Sequence, residues 1–130
     1  KENGYGRILN VGSTGSFIPS PTDAVYSATK AYIMSFSNAL CGELGKTGIK
    51  ITTLCPGATK TEFAAKANIQ NTLLFRIGVM KPEKVVGIAY HKMMKGRKLV
   101  IPGIYNKLLV VFSKVMPMSL INRITILMMK

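Results

Sequence analysis

The sequence predicts an α/β fold built on a parallel sheet, and three observations carry that reading. Arg7-Ile-Leu-Asn-Val11 and Ile49-Lys-Ile-Thr-Thr-Leu-Cys55 are short apolar runs bounded by Gly or Pro, as buried strands are. Between them, Val25, Ala28, Tyr32, Phe36, Ala39, Leu40 and Leu44 recur at steps of three and four, which predicts a helix over 24–45. A strand, a long helix and a second strand form a βαβ unit, whose strands run parallel through a right-handed crossover.

Each element has its local chemistry. The first strand leaves through Gly12-Ser-Thr-Gly-Ser16, which reads as a loop. Pro19-Ser-Pro-Thr-Asp23 then turns the chain and offers Thr22 or Asp23 as the helix cap. Gly45 and Gly48 punctuate the end of the helix, and Pro56-Gly57 stops the second strand. Thr61 to Phe75 reads as one or two short helices over a loop. Lys81-Pro-Glu83 opens another helix, with proline in its first turn, running to about Lys95. Lys98-Leu-Val-Ile-Pro102 is a last short strand, and residues 104 to 129 read as helical with a break at Pro117. The chain therefore divides into an α/β portion over 1–103 and a basic, amphipathic helical extension over 104–130.

Composition narrows the function classes. The 130 residues are 48% apolar and 18% charged, enough for one domain and too apolar for a disordered tail. Twelve glycines without a three-residue period exclude collagen, and two cysteines cannot staple a small scaffold. Cys41 and Cys55 fall on apparent core segments and read as reduced, buried thiols, which suits the cytoplasm. The net charge of +13 is uneven: residues 64 to 130 hold twelve basic residues against Glu83 alone. Such a field attracts anions of several classes. Zinc-finger spacing, an aromatic RNA-binding segment and basic-region heptads are all missing, so no nucleic-acid partner is expected. His91 is the single histidine and reads as a helix-surface residue, and neither cysteine has ligand-spaced partners, so no metal site is expected. Glu43 and Glu62 fall on different elements and read as solvated. The sequence opens on Lys1-Glu-Asn and enters a strand almost at once, as a piece of a longer protein would.

The extension leaves alternatives open. Its longest run without a charge, Val115 to Asn122, falls far short of the ~20 apolar residues that span a bilayer. Either it packs as a helix pair on the sheet or on a partner subunit, or it lies as a basic amphipathic segment in a membrane interface or over an apolar, acyl-like substrate.

Chemistry belongs beyond the carboxyl ends of the strands, where open α/β sheets bind ligands. The first strand delivers Ser13 there, and the second delivers Pro56-Gly57-Ala-Thr59-Lys-Thr61. Tyr26 and Lys30, four apart near the start of the helix, share one helical face. A hydroxyl, a phenol and a fixed cation suit proton transfer to or from a carbonyl or alcohol oxygen, because the ammonium favours the phenolate. Tyr-x-x-x-Lys alone recurs by chance in roughly every second chain of this size. The joint order of strand, Ser13, Tyr26, Lys30, helix, strand and Pro56-Gly57 is far more specific.

That order resembles the short-chain dehydrogenase/reductase family. Arg7-Ile-Leu-Asn-Val-Gly-Ser13 is similar to its strand ending in a catalytic serine, with Gly12 where many members carry the first serine of a pair. Ala24-Val-Tyr26-Ser-Ala-Thr-Lys30-Ala resembles its Tyr-x-x-x-Lys helix, and Cys55-Pro56-Gly57-Ala-Thr59-Lys-Thr61 its Pro-Gly-x-x-x-Thr loop. The likeness is strong over residues 7 to 63. It is looser from 81 to about 105, where the chain looks most like a bacterial DltE-like or ketoreductase-like subgroup. The resemblance implies the C-terminal half of a Rossmann-type, doubly wound parallel sheet, incomplete without its upstream half. It implies an oxidoreductase using NAD or NADP on a small-molecule carbonyl or secondary alcohol. Tyr26 would be the general acid/base, and Lys30 would support it and hold the nicotinamide ribose. Ser13 would polarise the substrate oxygen, while Pro56, Gly57, Thr59 and Thr61 would line the nicotinamide. The family's glycine-rich dinucleotide loop has no counterpart here, so the isolated piece is expected to be inactive. Homo-oligomers through the long helix, and peripheral contact with a membrane, complete the expectations. The alternative is a membrane-surface or protein-interaction fragment without catalysis.

Overall fold

The computed structural model describes residues 4–67, 69 and 71–129. The opening Lys1-Glu-Asn and Lys130, the last residue of the 104–130 extension, lie outside the described residues, as do positions 68 and 70 within the expected 61–75 helical stretch. Three parallel strands form one sheet in chain order: β1 (Gly6–Val11), β2 (Ile49–Leu54) and β3 (Leu99–Val100). Gly6 pairs with Ile49 and Val11 with Leu54, and β3 joins through Thr53–Leu99 and Leu54–Val100. The helices are α1 (Ala24–Glu43), α2 (Glu62–Lys66), α3 (Pro82–Met94), α4 (Ile104–Val115) and α5 (Met118–Met128). This is the α/β parallel arrangement that the alternation of strands and helices predicts. The third strand is shorter than expected, since Pro102 cannot donate to a ladder.

Successive side chains of β1 point to opposite faces. Leu9 packs against the cluster of Leu54, Val85, Ala89 and Val100, which joins α3 to the sheet. Asn10 points the other way and donates from Nδ2 to Ser37 Oγ on α1 at 2.9 Å. Helices therefore cover both faces, which is the layering of a doubly wound sheet.

The face that α1 turns to the sheet is not the apolar stripe that its periodicity marks. Val25, Tyr32 and Phe36 are exposed, and Tyr32 stacks on Phe36 with ring centres 6.0 Å apart. The buried positions are Ser27 and Ser37. The small Ser37 lets the helix lie close to β1, and it satisfies its own proton by donating to Ile33 O at 2.7 Å. Cys55 is fully buried, whereas Cys41 is only half-buried and donates weakly to Ile51 O at 3.5 Å. Both thiols are unpaired.

Two local features go beyond the sequence reading. The Gly12–Ser16 segment closes into a 3-10 turn (Thr14–Ser16), with Ser13 and Ser16 as a reciprocal cap. Asp23 takes the N-cap position of α1 but makes no side-chain cap bond, and Thr22 adopts the left-handed region at φ +78°. Ser27 ties the entry turn instead, donating to Ala24 O at 3.1 Å and accepting from Ser20 N at 3.4 Å.

Candidate active site

The β1–β2 ladder continues past the ends of its strands. Gly12 N donates to Leu54 O at 2.7 Å and Thr14 N to Pro56 O at 2.9 Å, so the two exit loops lie side by side. Ser13 N donates to Ser16 Oγ at 3.2 Å, and Ser16 Oγ donates to Lys30 O at 2.8 Å. The 3-10 turn is thereby fastened to the first turns of α1. Ser13 Oγ accepts from Gly15 N at 3.1 Å, which fixes the oxygen while leaving its proton to donate elsewhere.

Tyr26 and Lys30 rise from α1 beside this turn. Lys30 Nζ donates to Val11 O at 3.0 Å and sits 5.7 Å from the centre of the Tyr26 ring. A Cβ placed on Gly15 would lie 3.5 Å from Ser13 Oγ and 3.6 Å from Tyr26 Cε1, so both side chains flank one point of the backbone. Ser13, Tyr26, Lys30, Pro56, Gly57, Thr59 and Thr61 all border one cavity of about 920 Å³. Every site residue expected from the sequence is thus brought to a single space. Thr59 Oγ1 donates to Gly57 O at 3.0 Å and shapes the second loop. Lys60 N to Met80 O and Met80 N to Ala58 O, each at 3.0 Å, tie that loop to the segment entering α3.

Beyond these polar groups the cavity is apolar. Val86 and Met93 of α3, Leu108 and Phe112 of α4, and Ile124 and Met128 of α5 wall it. The site therefore sets a hydroxyl, a phenol and an ammonium in a cavity whose walls are mostly apolar.

Gly57 is held to glycine by its neighbour, and Gly12 is tightly packed. A Cβ on Gly12 would meet Cys55 Sγ and Ser16 Oγ at 3.0 Å, a contact that a shift of a few tenths of an ångström in those side chains would relieve. Burial pushes the Cys55 thiol above its ordinary pKa, against weaker lowering by the Ser16 hydrogen bond, the Ser13 backbone and the Lys30 charge. A Cβ on Gly57 would fall on the carboxamide of Asn106. Asn106 is buried and donates from Nδ2 to Pro102 O at 2.7 Å. It buttresses the second loop from α4, and sequence reasoning missed it. The one available signal was an asparagine among the apolar residues at the start of that helix.

A sequence model of the family described as short chain dehydrogenase matches residues 1–72. A Streptomyces coelicolor protein assigned as a ketoacyl reductase is 44% identical over 64 residues, which are 49% of this chain and 24% of that protein. A solved structure of a 7β-hydroxysteroid dehydrogenase superposes with a TM-score of 0.79 at 26% identity, covering 95% of this chain and 49% of that one. A short-chain dehydrogenase from Sphingobium yanoikuyae, solved with NADPH, gives 0.69 at 28% identity, over 88% of this chain and 46% of that one. The chain thus spans about half the length of these solved structures, and its match to the curated relative takes in about a quarter of that protein.

Proposed function

The chain belongs to the short chain dehydrogenase family, and from that premise we propose that it carries the acid–base half of a nicotinamide-dependent oxidoreductase acting on a carbonyl or secondary alcohol. The observation that carries this reading is the convergence of Ser13, Tyr26 and Lys30 on one cavity. The residues fit a nicotinamide nucleotide. The hydroxyls of Ser13, Thr59 and Thr61 and the Lys30 ammonium border the same cavity, which suits a ribose and a carboxamide. NADPH in the Sphingobium structure supports NAD or NADP here.

In the reducing direction Tyr26 gives its phenolic proton to the substrate oxygen, while Ser13 donates a hydrogen bond to that same atom. The Lys30 ammonium stabilises the negative charge that Tyr26 then carries, and holds the ribose. In oxidation Tyr26 takes the alcohol proton and Ser13 keeps its place. The nicotinamide, when bound, supplies or accepts the hydride. The apolar chamber supports a hydrophobic, acyl-like substrate, in keeping with the ketoacyl and hydroxysteroid names of the similar proteins. The exposed stripe of Val25, Tyr32 and Phe36 on α1 supports a homo-oligomer formed through that helix.

Kinetics of a full-length fusion, in which this chain supplies the C-terminal half of a family relative, test the reading. Tyr26→Phe lowers kcat by about 10²–10⁴-fold with cofactor affinity nearly unchanged, and Lys30→Ala harms both. An unimpaired Phe variant removes Tyr26 from the chemistry. The 130-residue chain alone is inactive, and turnover matching the fusion would show that it needs nothing more.

A further inference from the structure

The outward sides of α4 and α5 are apolar and basic at once. On α4, Ile104, Lys107, Val111, Lys114 and Val115 follow one another at helical spacing, and all are exposed. Arg123 and Leu127, four apart on α5, are exposed as well. None of these side chains borders the cavity, whose wall is made by the opposite sides of the same helices. Lys114, an exposed residue, has its Nζ 5.8 Å from the centre of the Phe17 ring. From Lys84 to Lys130 the sequence carries nine lysines and arginines and no acid.

We propose that this outer face of α4–α5 seats the protein on the surface of an anionic lipid bilayer. The apolar side chains enter the headgroup–acyl boundary while Lys107, Lys114 and Arg123 meet the phosphates. Two features favour lipid over other occupants. Lysines within the apolar stripe suit an interface in which their stems lie along hydrocarbon and their heads reach outward, whereas the centres of protein–protein interfaces are depleted of lysine. A second copy would bring lysine against lysine on a chain of net charge +13. No helix among the described residues is long and apolar enough to cross a membrane, so the contact is one of lying on the surface.

Flotation with vesicles of phosphatidylcholine alone, and of phosphatidylcholine mixed equally with phosphatidylglycerol, tests this. The chain floats with the mixed vesicles and much less with the neutral ones, and high salt weakens the binding. The pair Lys107→Glu and Lys114→Glu lowers binding by at least about tenfold. The pair Lys92→Glu, on α3, and Lys95→Glu, at its C-cap, both exposed, lowers it far less. Circular dichroism confirms that each variant is folded. The sequence contains no tryptophan, so V115W gives a single reporter whose emission moves to the blue on the mixed vesicles. Equal losses from the two lysine pairs would reduce the effect to overall charge and overturn the proposal. An unmoved V115W emission, binding indifferent to lipid charge, or a dimer that buries Val115 would overturn it too.

Discussion

Thr52 and Thr53 stand side by side on β2, both sealed from water, and their hydroxyls have different fates. Thr52 Oγ1 donates to Arg97 O at 2.6 Å, whereas Thr53 Oγ1 finds no partner among the described residues. A buried hydroxyl without a bond carries its desolvation cost uncompensated, while one with a bond offsets it. Valine keeps the branched shape and removes only the polar atom. Thr53→Val is therefore expected to leave stability unchanged or raise it by about 1 kcal/mol, and Thr52→Val to lower it by about 1–2 kcal/mol. Urea unfolding of both variants checks the order, and equal losses would mean that an ordered water serves Thr53. Neither fate was legible in the sequence, where the two threonines differ only in the face they take. Ser13, Tyr26 and Lys30 were legible because strand ends and a helix start fix where their backbones lie before any side chain is placed.

Helix α4 does two jobs. Val110 is buried within it, and Asn106 in its first turn supports the loop that leaves β2. Gly57→Ala would set a methyl group on the Asn106 carboxamide and is expected to cost about 1–3 kcal/mol. Asn106→Ala costs a similar amount by losing its bond to Pro102 O. The double variant should lose clearly less than the sum, because the second change removes the clash made by the first. Additive losses in a denaturant-based double-mutant cycle would mean that loop and helix do not communicate through this contact. The contact joins residues remote in sequence, so local pattern could not reveal it. Helix α1 teaches the complementary lesson. Its periodicity predicted the helix, and the bounds Ala24–Glu43 fall close to those expected, yet the apolar stripe faces outward. Period says that a stripe exists, and only the tertiary partner decides whether it or the serine face meets the sheet.

At the scale of the molecule, the sheet ends on β1 at one edge and on β3 at the other. Among the described residues nothing pairs with the outer edge of β1, where Ile8 and Val11 are also exposed. Since Gly12 N points to Leu54 O, alternation along the strand turns the amides of Ile8 and Asn10 toward β2 and those of Leu9 and Val11 outward. Hydrogen exchange on the chain should therefore show Leu9 and Val11 losing their amide protons well before Ile8 and Asn10. Equal protection would mean that a further strand or a second chain covers the edge. Charge follows a division of its own, with the excess of +11 lying after residue 63, on the α3–α5 side of the chain. Because β1, β2 and β3 stand in space in the order in which they stand in the chain, each new strand finds its partner already made. A chain emerging from the ribosome can accordingly lay down this sheet one strand at a time, waiting at no stage for a segment not yet translated.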